Sequence, residues 1–265
     1  MDLDQTLHAA VQTADRLLLL LDFDGTLAPI ADDPARVQLP LCASRVLQAL
    51  DAQPAVTLAV LSGRKLDDVK ARIGLPILYA GNHGLEYEGP DFRFLAIGAD
   101  HALHQLARIR IELERTVAKI PGVLIENKGY GLGVHYRRVA EARVPEVRRL
   151  VQEACVSAHG AVRVKQAKKL LEVQTVTPHN KGVAALWIRD HVDPRAAIVA
   201  AGDDLTDEDM FRVLPGAITI KIGPGETIAH YRLADSDEFC AFLERTLETV
   251  RHKARTIKPG CLLEP

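Results

Sequence analysis

Two carboxylates spaced two residues apart begin the part of this chain that could do chemistry. Asp22 and Asp24 stand in the hexapeptide DFDGTL at residues 22–27, directly after the apolar run Leu17–Leu21. A short continuous apolar run predicts a strand buried on both faces, and parallel sheets of such strands bind ligands at the carboxyl ends of their strands. The pair is therefore expected to face a cleft, where Gly25 lets the backbone turn sharply and approach an anion. This pattern favours covalent phosphoryl chemistry, although an Asp-rich turn that caps a helix would account for the residues one at a time.

A hydroxyl and an ammonium are candidates for the same site. Ser62 closes the apolar run Val56–Leu61, so its hydroxyl could hydrogen-bond a phosphoryl oxygen, or it could cap the helix that follows. Lys181 is predicted to begin a helix, where its ammonium could neutralise charge on a transferring phosphoryl group. A lysine at that position is also compatible with simple solvation. Both residues are candidate catalytic groups.

An acidic segment follows another buried strand. Residues 202–208 read GDDLTDE and come directly after the run Ala197–Ala201. Hard oxygen ligands at such density suit Mg²⁺. An acidic first turn of a helix explains Asp207 and Glu208 equally well, but it does not explain why the segment adjoins a glycine at the end of a buried strand.

The order of these four groups resembles that of the haloacid dehalogenase-type phosphatases. The resemblance implies that Asp22 is the nucleophile, which forms an aspartyl-phosphate that water then hydrolyses. It implies that Asp24 is the general acid and base, for which a raised pKa in a closed site would help. Mg²⁺ would bridge the phosphate, Asp22, the backbone carbonyl of Asp24, and Asp203. Asp204 and Asp207 could be further ligands or could orient the others.

The elements that position these groups alternate between strands and helices. Strand-like runs recur at Leu17–Leu21, Val56–Leu61, Ile77–Ala80, Ala197–Ala201 and Ala217–Ile222. Helical patterns lie between the early strands, at Pro40–Ala52 and Lys65–Ile73. Alternation of this kind predicts an α/β fold with a doubly wound, Rossmann-like parallel sheet.

The pattern changes in the middle of the chain. Helical periodicity at Asp100–Lys119 is followed by strand-like Val123–Glu126 and Leu132–Tyr136, then by a helix at Val144–His159 and strands at Val162–Val164 and Leu170–Val173. This αββαββ order predicts a separate small domain inserted into the first one. We therefore expect a core domain at 1–99 and 175–265 and an inserted domain at 100–174.

Bulk properties narrow the class of protein. The chain has 265 residues, 48% of them hydrophobic, and a formal net charge of -2, which is enough to build a full core and offers no basic footprint for nucleic acid or an anionic membrane. The cysteines Cys42, Cys155, Cys240 and Cys261 are scattered, so reduced thiols are expected. Residues 1–15 lack the pattern of a signal peptide, and no apolar run could span a bilayer. By elimination, the prediction is a cytoplasmic enzyme that acts on a small ligand.

Shorter motifs narrow the resemblance to the trehalose-6-phosphate phosphatase family. They are NHGLE at 82–86, ENK at 126–128, HYR at 135–137 and LEV at 171–173. The inserted domain then corresponds to that family's cap, which would close over the sugar and set substrate specificity. The resemblance implies that the following residues bind substrate: Arg64, Asn82, His83, Glu126, Lys128 and Glu172. Carboxylates and an ammonium suit a disaccharide because they form charge-assisted hydrogen bonds with hydroxyls.

One departure bears on the identity of the substrate. The family usually has a basic residue followed by proline shortly after the glutamate that corresponds to Glu172, whereas this chain has Gln174 and Thr175. Related phosphatases that act on sucrose phosphate, glucosylglycerol phosphate or mannosyl phosphoglycerate share the core chemistry. The sequence therefore leaves these sugar phosphates as alternative substrates to trehalose-6-phosphate.

Three other classes of protein share part of this pattern. A receiver domain also gathers aspartates, a hydroxyl and a lysine, but it is much shorter, and Asp24 two residues after the nucleophile favours turnover over storage of the phosphoryl group. A non-catalytic domain that regulates a sugar-phosphate synthase would not need every catalytic group. A phosphomutase would return the phosphoryl group to its substrate. A functional coupling to a trehalose-6-phosphate synthase is left open.

Overall fold

The leucine run forms a fully buried strand within a large sheet. The computed structural model describes residues 2–31, 33–127, 129–156, 158, 160–167 and 169–257. All five side chains of strand β1 (Leu17–Leu21) are buried, and β1 pairs in parallel with a neighbour on each side. A strand covered on both faces is apolar at every position, which is why the run has no polar alternation.

The described residues contain twelve strands and eight α-helices. After β1 the strands are β2 (Val56–Leu61), β3 (Leu78–Gly81), β4 (Glu86–Gly89), β5 (Phe92–Leu95), β6 (Leu124–Asn127), β7 (Gly131–His135), β8 (Val162–Ala167), β9 (Leu170–Thr175), β10 (Ala197–Gly202), β11 (Ile218–Ile222) and β12 (Tyr231–Leu233). The helices are α1 (Leu3–Thr13), α2 (Leu41–Asp51), α3 (Leu66–Ile73), α4 (Ala99–Arg115), α5 (Val144–Val156), α6 (Lys181–Val192), α7 (Asp207–Val213) and α8 (Ser236–Ile257).

Eight strands form one sheet in the order β12-β11-β10-β1-β2-β3-β4-β5. The strands from β12 to β3 pair in parallel, and β4 runs antiparallel to β3. The order reverses between β10 and β2 around β1, which is the point where a doubly wound sheet opens a crevice for a ligand. The predicted α/β fold with a parallel-dominated sheet is confirmed.

Helices cover this sheet on both faces. Alternate leucines of β1, Leu17, Leu19 and Leu21, share one buried cluster with apolar side chains of α1, α2, α3 and α8. The helix α6 contacts β1, β2 and β3, and its buried residues Ala184 and Ile188 lie outside that cluster. Because side chains alternate across a strand, α6 covers the opposite face.

A second compact unit begins at Leu95 and ends at Pro178. Its four strands form an antiparallel sheet in the order β6-β7-β9-β8, and the element order α4-β6-β7-α5-β8-β9 is the expected αββαββ. Leu132, Val134, Leu171 and Val173 point to one face, where they are buried together with side chains of α4 and α5.

The boundaries between the two compact units lie at slightly different residues from those that the sequence predicted. The first unit runs up to Phe94 and resumes at His179, against the expected 99 and 175. At the second junction, the strand β9 continues to Thr175, and Val176 N donates to Ala161 O at 2.8 Å. This backbone bond holds the residues after β9 in the second unit.

Five elements were not predicted from the sequence, namely the strands β4, β5 and β12 and the helices α1 and α8. The strands β4 and β5 carry polar and aromatic side chains rather than an apolar run. Among the described helices, none is both long and apolar enough to cross a membrane.

Candidate active site

The turn after β1 brings Asp22 to the carboxyl edge of the sheet. Asp22 N donates to Ala201 O at 3.0 Å, which continues the pairing of β1 with β10. Gly25 has a φ of +79°, and a Cβ at this position would lie 2.1 Å from Oδ2 of Asp203. The turn therefore requires glycine both for its left-handed backbone and for the space that the Asp203 carboxylate occupies.

The first residue of α6 places a cation beside Asp22. The side chain of Asn180 accepts from Val183 N at 2.9 Å and caps the helix, so Lys181 is its first residue. Lys181 Nζ donates to Oδ1 of Asp22 at 2.6 Å and to Oδ1 of Asp207 at 2.7 Å. All three charged side chains are at most 5% exposed, so the predicted lysine is buried and paired rather than solvated.

A third carboxylate completes this cluster. Asp22, Asp203 and Asp207 each offer an oxygen, and these oxygens lie within 4.8 Å of one another. Asp207 is accommodated because Gly202 lacks a side chain: a Cβ there would be 2.1 Å from the Asp207 Cγ. Lys181 is the cation bonded within the cluster, so three carboxylates share one ammonium.

Burial and neighbouring charges shift the pKa of every member of the cluster. Burial is the main cause that raises the pKa of Asp22 and of Asp207, although Lys181 opposes it in both. Repulsion from Asp207 and Asp203 raises the pKa of Asp22 further, and repulsion from Asp204 does so for Asp207. Burial and the neighbouring carboxylates raise the pKa of Asp203 to about 6. Burial alone would lower the pKa of Lys181, but Asp22 and Asp207 outweigh it and hold that pKa above its usual range.

These properties fit a divalent cation. The cluster provides hard oxygen donors from three carboxylates, which is the ligand chemistry that Mg²⁺ prefers. Because the pKa values of these three carboxyl groups are raised, protons and a metal ion would compete to neutralise the same excess of negative charge. The residues that could hold the ion are Asp22, Asp203 and Asp207.

The acidic segment after β10 forms further hydrogen bonds within its own loop. Asp204 Oδ1 accepts from the backbone and hydroxyl of Thr206, both at 2.7 Å, and Asp204 N donates to Asp207 Oδ2 at 3.0 Å. Burial would raise the pKa of Asp204, but Lys181 and the bonds from Thr206 outweigh it and lower that pKa. These contacts show Asp204 shaping the loop that presents Asp207.

Asp24 faces an arginine. Arg64 Nε donates to Oδ2 of Asp24 at 2.7 Å, and Nη2 donates to Oδ1 at 2.5 Å. The guanidinium also donates from Nη1 to Asp68 at 3.0 Å and lies 5.4 Å from the ring centroid of Phe23. Arg64, which the sequence suggested as a substrate ligand, is in this structure a bidentate partner of Asp24.

The ends of β2 and β3 hold the next three predicted residues. Ser62 is fully buried, and its Oγ accepts from Arg64 N at 3.1 Å, so the hydroxyl does cap a turn at the site edge. Asn82 and His83 both have positive φ values, 48° and 57°, which is a strained conformation for residues other than glycine. His83 N donates to Ser62 O at 2.9 Å, and the Asn82 side chain donates to Glu86. The loop is thus fixed against the end of β2.

In the second unit, two predicted carboxylates share one face of the sheet. Glu126 pairs with Gly133, which in turn pairs with Glu172 across β7. Residues paired across adjacent strands point to the same face, and this face is opposite the one that carries the buried Leu132 and Val134. The glycine between the two glutamates leaves a gap in the layer of side chains.

Polar contacts surround these glutamates. His135 Nε2 lies 2.8 Å from Oε2 of Glu126. Gln174, at the position where a basic residue was expected, donates to Oε2 of Glu172 at 3.3 Å and accepts from Arg163 Nε at 3.3 Å. Lys128 lies outside the described residues.

Sequence reasoning missed three charged residues near the predicted ones. Lys221 is buried in β11, and its Nζ donates to the backbone carbonyl of Asp203; a charge inside an apolar run could have signalled it. Asp68 and Arg72 extend the contacts of Arg64, and their four-residue spacing places these two residues on one face of α3.

Replacement of Lys181 by methionine should destabilise the fold in a pH-dependent way. The variant leaves buried carboxylates without their ammonium, so we expect it to lose about 3 kcal/mol of unfolding free energy at pH 7.5. The pKa values of Asp22 and Asp207 should rise further in the variant, so its folded state takes up more protons on acidification than the wild type does. The loss should therefore shrink at pH 5.5.

Denaturant unfolding at the two pH values, with EDTA present, measures this effect. The variant Lys65→Met is a matched control because Lys65 is exposed, and it should unfold like the wild type at both pH values. An equal loss of stability at pH 7.5 and pH 5.5 in Lys181→Met would contradict the charge argument.

Curated proteins are similar to this chain over most of its length. The trehalose-phosphate phosphatase of Mycobacterium bovis (strain BCG / Pasteur 1173P2) is 35% identical over 251 residues, which cover 88% of this chain and 62% of the relative. That of Mycobacterium marinum is 37% identical over 227 residues, 81% of this chain and 56% of the relative. This chain thus spans about three fifths of the length of these curated relatives.

Solved structures with the same fold include a trehalose-6-phosphate phosphatase related protein, with a TM-score of 0.74, 26% identity, and coverage of 89% of this chain and 99% of that one. The trehalose-6-phosphate phosphatase of Aspergillus fumigatus has a TM-score of 0.65, 26% identity, and coverage of 94% and 98%. The model of the trehalose-phosphatase family matches residues 20–237. Because that match takes in both the aspartate cluster and the inserted unit, the chain belongs to the trehalose-phosphatase family.

Proposed function

We propose that this protein hydrolyses trehalose-6-phosphate to trehalose and phosphate, in a Mg²⁺-dependent reaction that passes through an aspartyl-phosphate at Asp22. The observation that carries the proposal is the buried cluster in which Asp22 meets Lys181, Asp203 and Asp207 at the carboxyl edge of the sheet. The family and the names of the relatives support the sugar phosphate.

In the first step, a carboxylate oxygen of Asp22 attacks phosphorus and the bond between phosphorus and the sugar oxygen breaks. Asp24 gives its proton to the departing sugar oxygen, so the sugar leaves as a neutral alcohol. Lys181 fixes the Asp22 carboxylate and stabilises the charge that develops on the phosphoryl oxygens. The hydroxyl of Ser62, with the amides near it, would bind one of those oxygens.

In the second step, water attacks the phosphorus of the aspartyl-phosphate. Asp24 accepts a proton from that water, the bond between phosphorus and Asp22 breaks, and phosphate leaves with both aspartates restored. The bidentate ion pair with Arg64 supports this role, because it fixes the position of the Asp24 side chain.

The metal would be held by Asp22, Asp203 and the backbone carbonyl of Asp24, with Asp207 as a further ligand or as an orienting group. When bound, it supplies positive charge that offsets the carboxylates and the phosphate they must approach. A metal ion at this position would also favour the ionised form of Asp22, whose pKa is raised by burial and by the neighbouring carboxylates.

The second unit is proposed to recognise the sugar. Glu126 and Glu172 both pair with Gly133, so the two carboxylates lie in one row on the sheet face opposite the core of the second unit, where both could bind hydroxyls of one sugar. Asn82 and His83 in the first unit and Lys128 stay predicted substrate ligands. The coupling to a trehalose-6-phosphate synthase and the cytoplasmic location also stay predictions.

Added Mg²⁺ should stabilise the protein more at pH 7.5 than at pH 5.0. The pKa of Asp203 is about 6 without metal, so protons compete for the site below that value. At a concentration a hundredfold above the Kd, binding adds about 2.7 kcal/mol to the unfolding free energy, which thermal unfolding detects. Asp203→Asn should lose the shift, and NaCl of equal ionic strength should not produce it. Equal shifts at both pH values would contradict the assignment.

Phosphate release from a panel of sugar phosphates tests the activity. We expect trehalose-6-phosphate to be preferred over sucrose-6-phosphate, glucosylglycerol phosphate, mannosyl phosphoglycerate and glucose-6-phosphate, and release to require Mg²⁺. Asp22→Asn should abolish both turnover and the acid-stable phosphoenzyme that mass spectrometry detects after a quench. Preference for another sugar would overturn the substrate and keep the mechanism. Full turnover by Asp22→Asn would show that the nucleophile is wrong, and transfer of phosphate back to the sugar would indicate a mutase.

Glu172→Gln should separate sugar recognition from phosphoryl chemistry. A charge-assisted hydrogen bond contributes about 1.5–3 kcal/mol, so KM for trehalose-6-phosphate should rise roughly tenfold or more while hydrolysis of 4-nitrophenyl phosphate stays comparatively unchanged. Glu141→Gln is the matched control because Glu141 is an exposed residue of the same unit, paired with Lys169. A parallel loss on both substrates in Glu172→Gln would argue that the residue acts on the fold.

A further inference from the structure

The guanidinium of Arg64 is held from three sides. It donates to both oxygens of Asp24, at 2.7 and 2.5 Å, and to Oδ2 of Asp68 at 3.0 Å. Its face lies near the ring of Phe23, and the side chain is only 11% exposed. An arginine that binds a carboxylate through two parallel bonds fixes its plane as well as its position. The orientation of Asp24 therefore depends on where Arg64 is held.

Asp68 has no role in the chemistry described above, yet it is the other carboxylate on this arginine. Its Oδ1 accepts from Arg72 Nε at 3.0 Å, while its Oδ2 accepts from Arg64. Burial would raise the pKa of Asp68, but the hydrogen bonds from Arg72 and Arg64 outweigh it and lower that pKa. Asp68 is thus a fixed negative charge between two arginines.

The network ends on the backbone. Arg72 donates from Nη1 to Val37 O and from Nη2 to Ala35 O, the latter at 3.2 Å. Asp68 and Arg72 are spaced by four residues and lie along one face of α3, which itself packs into the core through Val69 and Ile73. Arg64 stands two residues before the helix begins. A rigid helix therefore carries a chain of ion pairs that leads from a backbone anchor to Asp24.

We propose that Asp68 is a positioning residue for proton transfer: it holds Arg64 so that Arg64 orients the carboxyl group of Asp24 toward the leaving oxygen. The proposal rests on the proposed phosphatase function, in which Asp24 is the general acid. When Asp24 carries its proton, one oxygen bears it and the other keeps accepting from Arg64, so the group stays tethered through both halves of the cycle.

Substrates whose leaving groups differ in acidity can test whether Asp68 positions the proton donor. A weakly acidic alcohol needs a well-placed proton donor to depart, whereas 4-nitrophenolate leaves readily without one. The value of kcat/KM reports the steps up to departure of the leaving group. A misplaced Asp24 should therefore slow phenyl phosphate much more than 4-nitrophenyl phosphate, and neither substrate involves sugar recognition.

The test compares kcat/KM for a series of substituted phenyl phosphates, with Mg²⁺ present, in wild type, Asp68→Asn, Asp68→Glu and Asp67→Asn. We expect Asp68→Asn to lose about tenfold more on phenyl phosphate than on 4-nitrophenyl phosphate, and Asp68→Glu to recover part of that loss. Asp67 is the matched control because it is an exposed aspartate of the same helix, paired with Arg93; its variant should keep the wild-type ratio.

The ratio of two substrates in one preparation does not depend on how much of the protein is folded, so partial misfolding of Asp68→Asn leaves the result interpretable. An unchanged ratio in Asp68→Asn, with or without an equal loss on both esters, would overturn the inference alone. A wild-type protein that hydrolyses no phosphate ester with Mg²⁺ would overturn the proposed function and the inference with it.

Discussion

The uncompensated negative charge at the carboxyl edge of the main sheet is the constraint on which the site depends. Carboxylate oxygens of Asp22, Asp203 and Asp207 lie within 4.8 Å of one another, and Lys181 donates hydrogen bonds to two of these three side chains, Asp22 and Asp207. Such an arrangement costs stability unless protons, a cation or both offset it. Burial of apolar side chains in the surrounding strands and helices offsets this cost, and a bound divalent cation would reduce it further.

Two glycines are as important to this cluster as its charged side chains. A Cβ at Gly25 would occupy the space of the Asp203 carboxylate, and a Cβ at Gly202 that of Asp207, each at 2.1 Å. Gly25 lies in the turn after β1, and Gly202 is the last residue of β10. Asp203 therefore packs against the bare backbone of that turn, and Asp207 packs against the bare end of β10. This close approach is what brings oxygens from separate segments into one site.

Much of this arrangement could be predicted because it follows from local patterns. The leucines of Leu17–Leu21 could only be a covered strand, and polar residues after such strands must gather at one edge of a parallel sheet. The partners of those residues were harder to see. Whether Lys181 would be buried or solvated, and whether Arg64 would contact a ligand or Asp24, depends on which elements lie beside it, and neighbours in space are not encoded in spacing along the chain. The strand β4 was missed for a related reason, since its polar residues, such as Glu86, bond to a loop instead of forming a core.

Asp22 and Asp24 show how tertiary partners turn a nearly symmetric motif into an asymmetric site. In sequence the two differ little, being aspartates on either side of one phenylalanine. In the structure the first is buried and bound by a lysine from α6, whereas the second is two-fifths exposed and bound by an arginine that precedes α3. This difference in burial and in cationic partner matches the proposed roles, which are nucleophile for Asp22 and general acid and base for Asp24. The helices that follow β2 and β9 supply those partners, so the hexapeptide needs the rest of the fold to become a site.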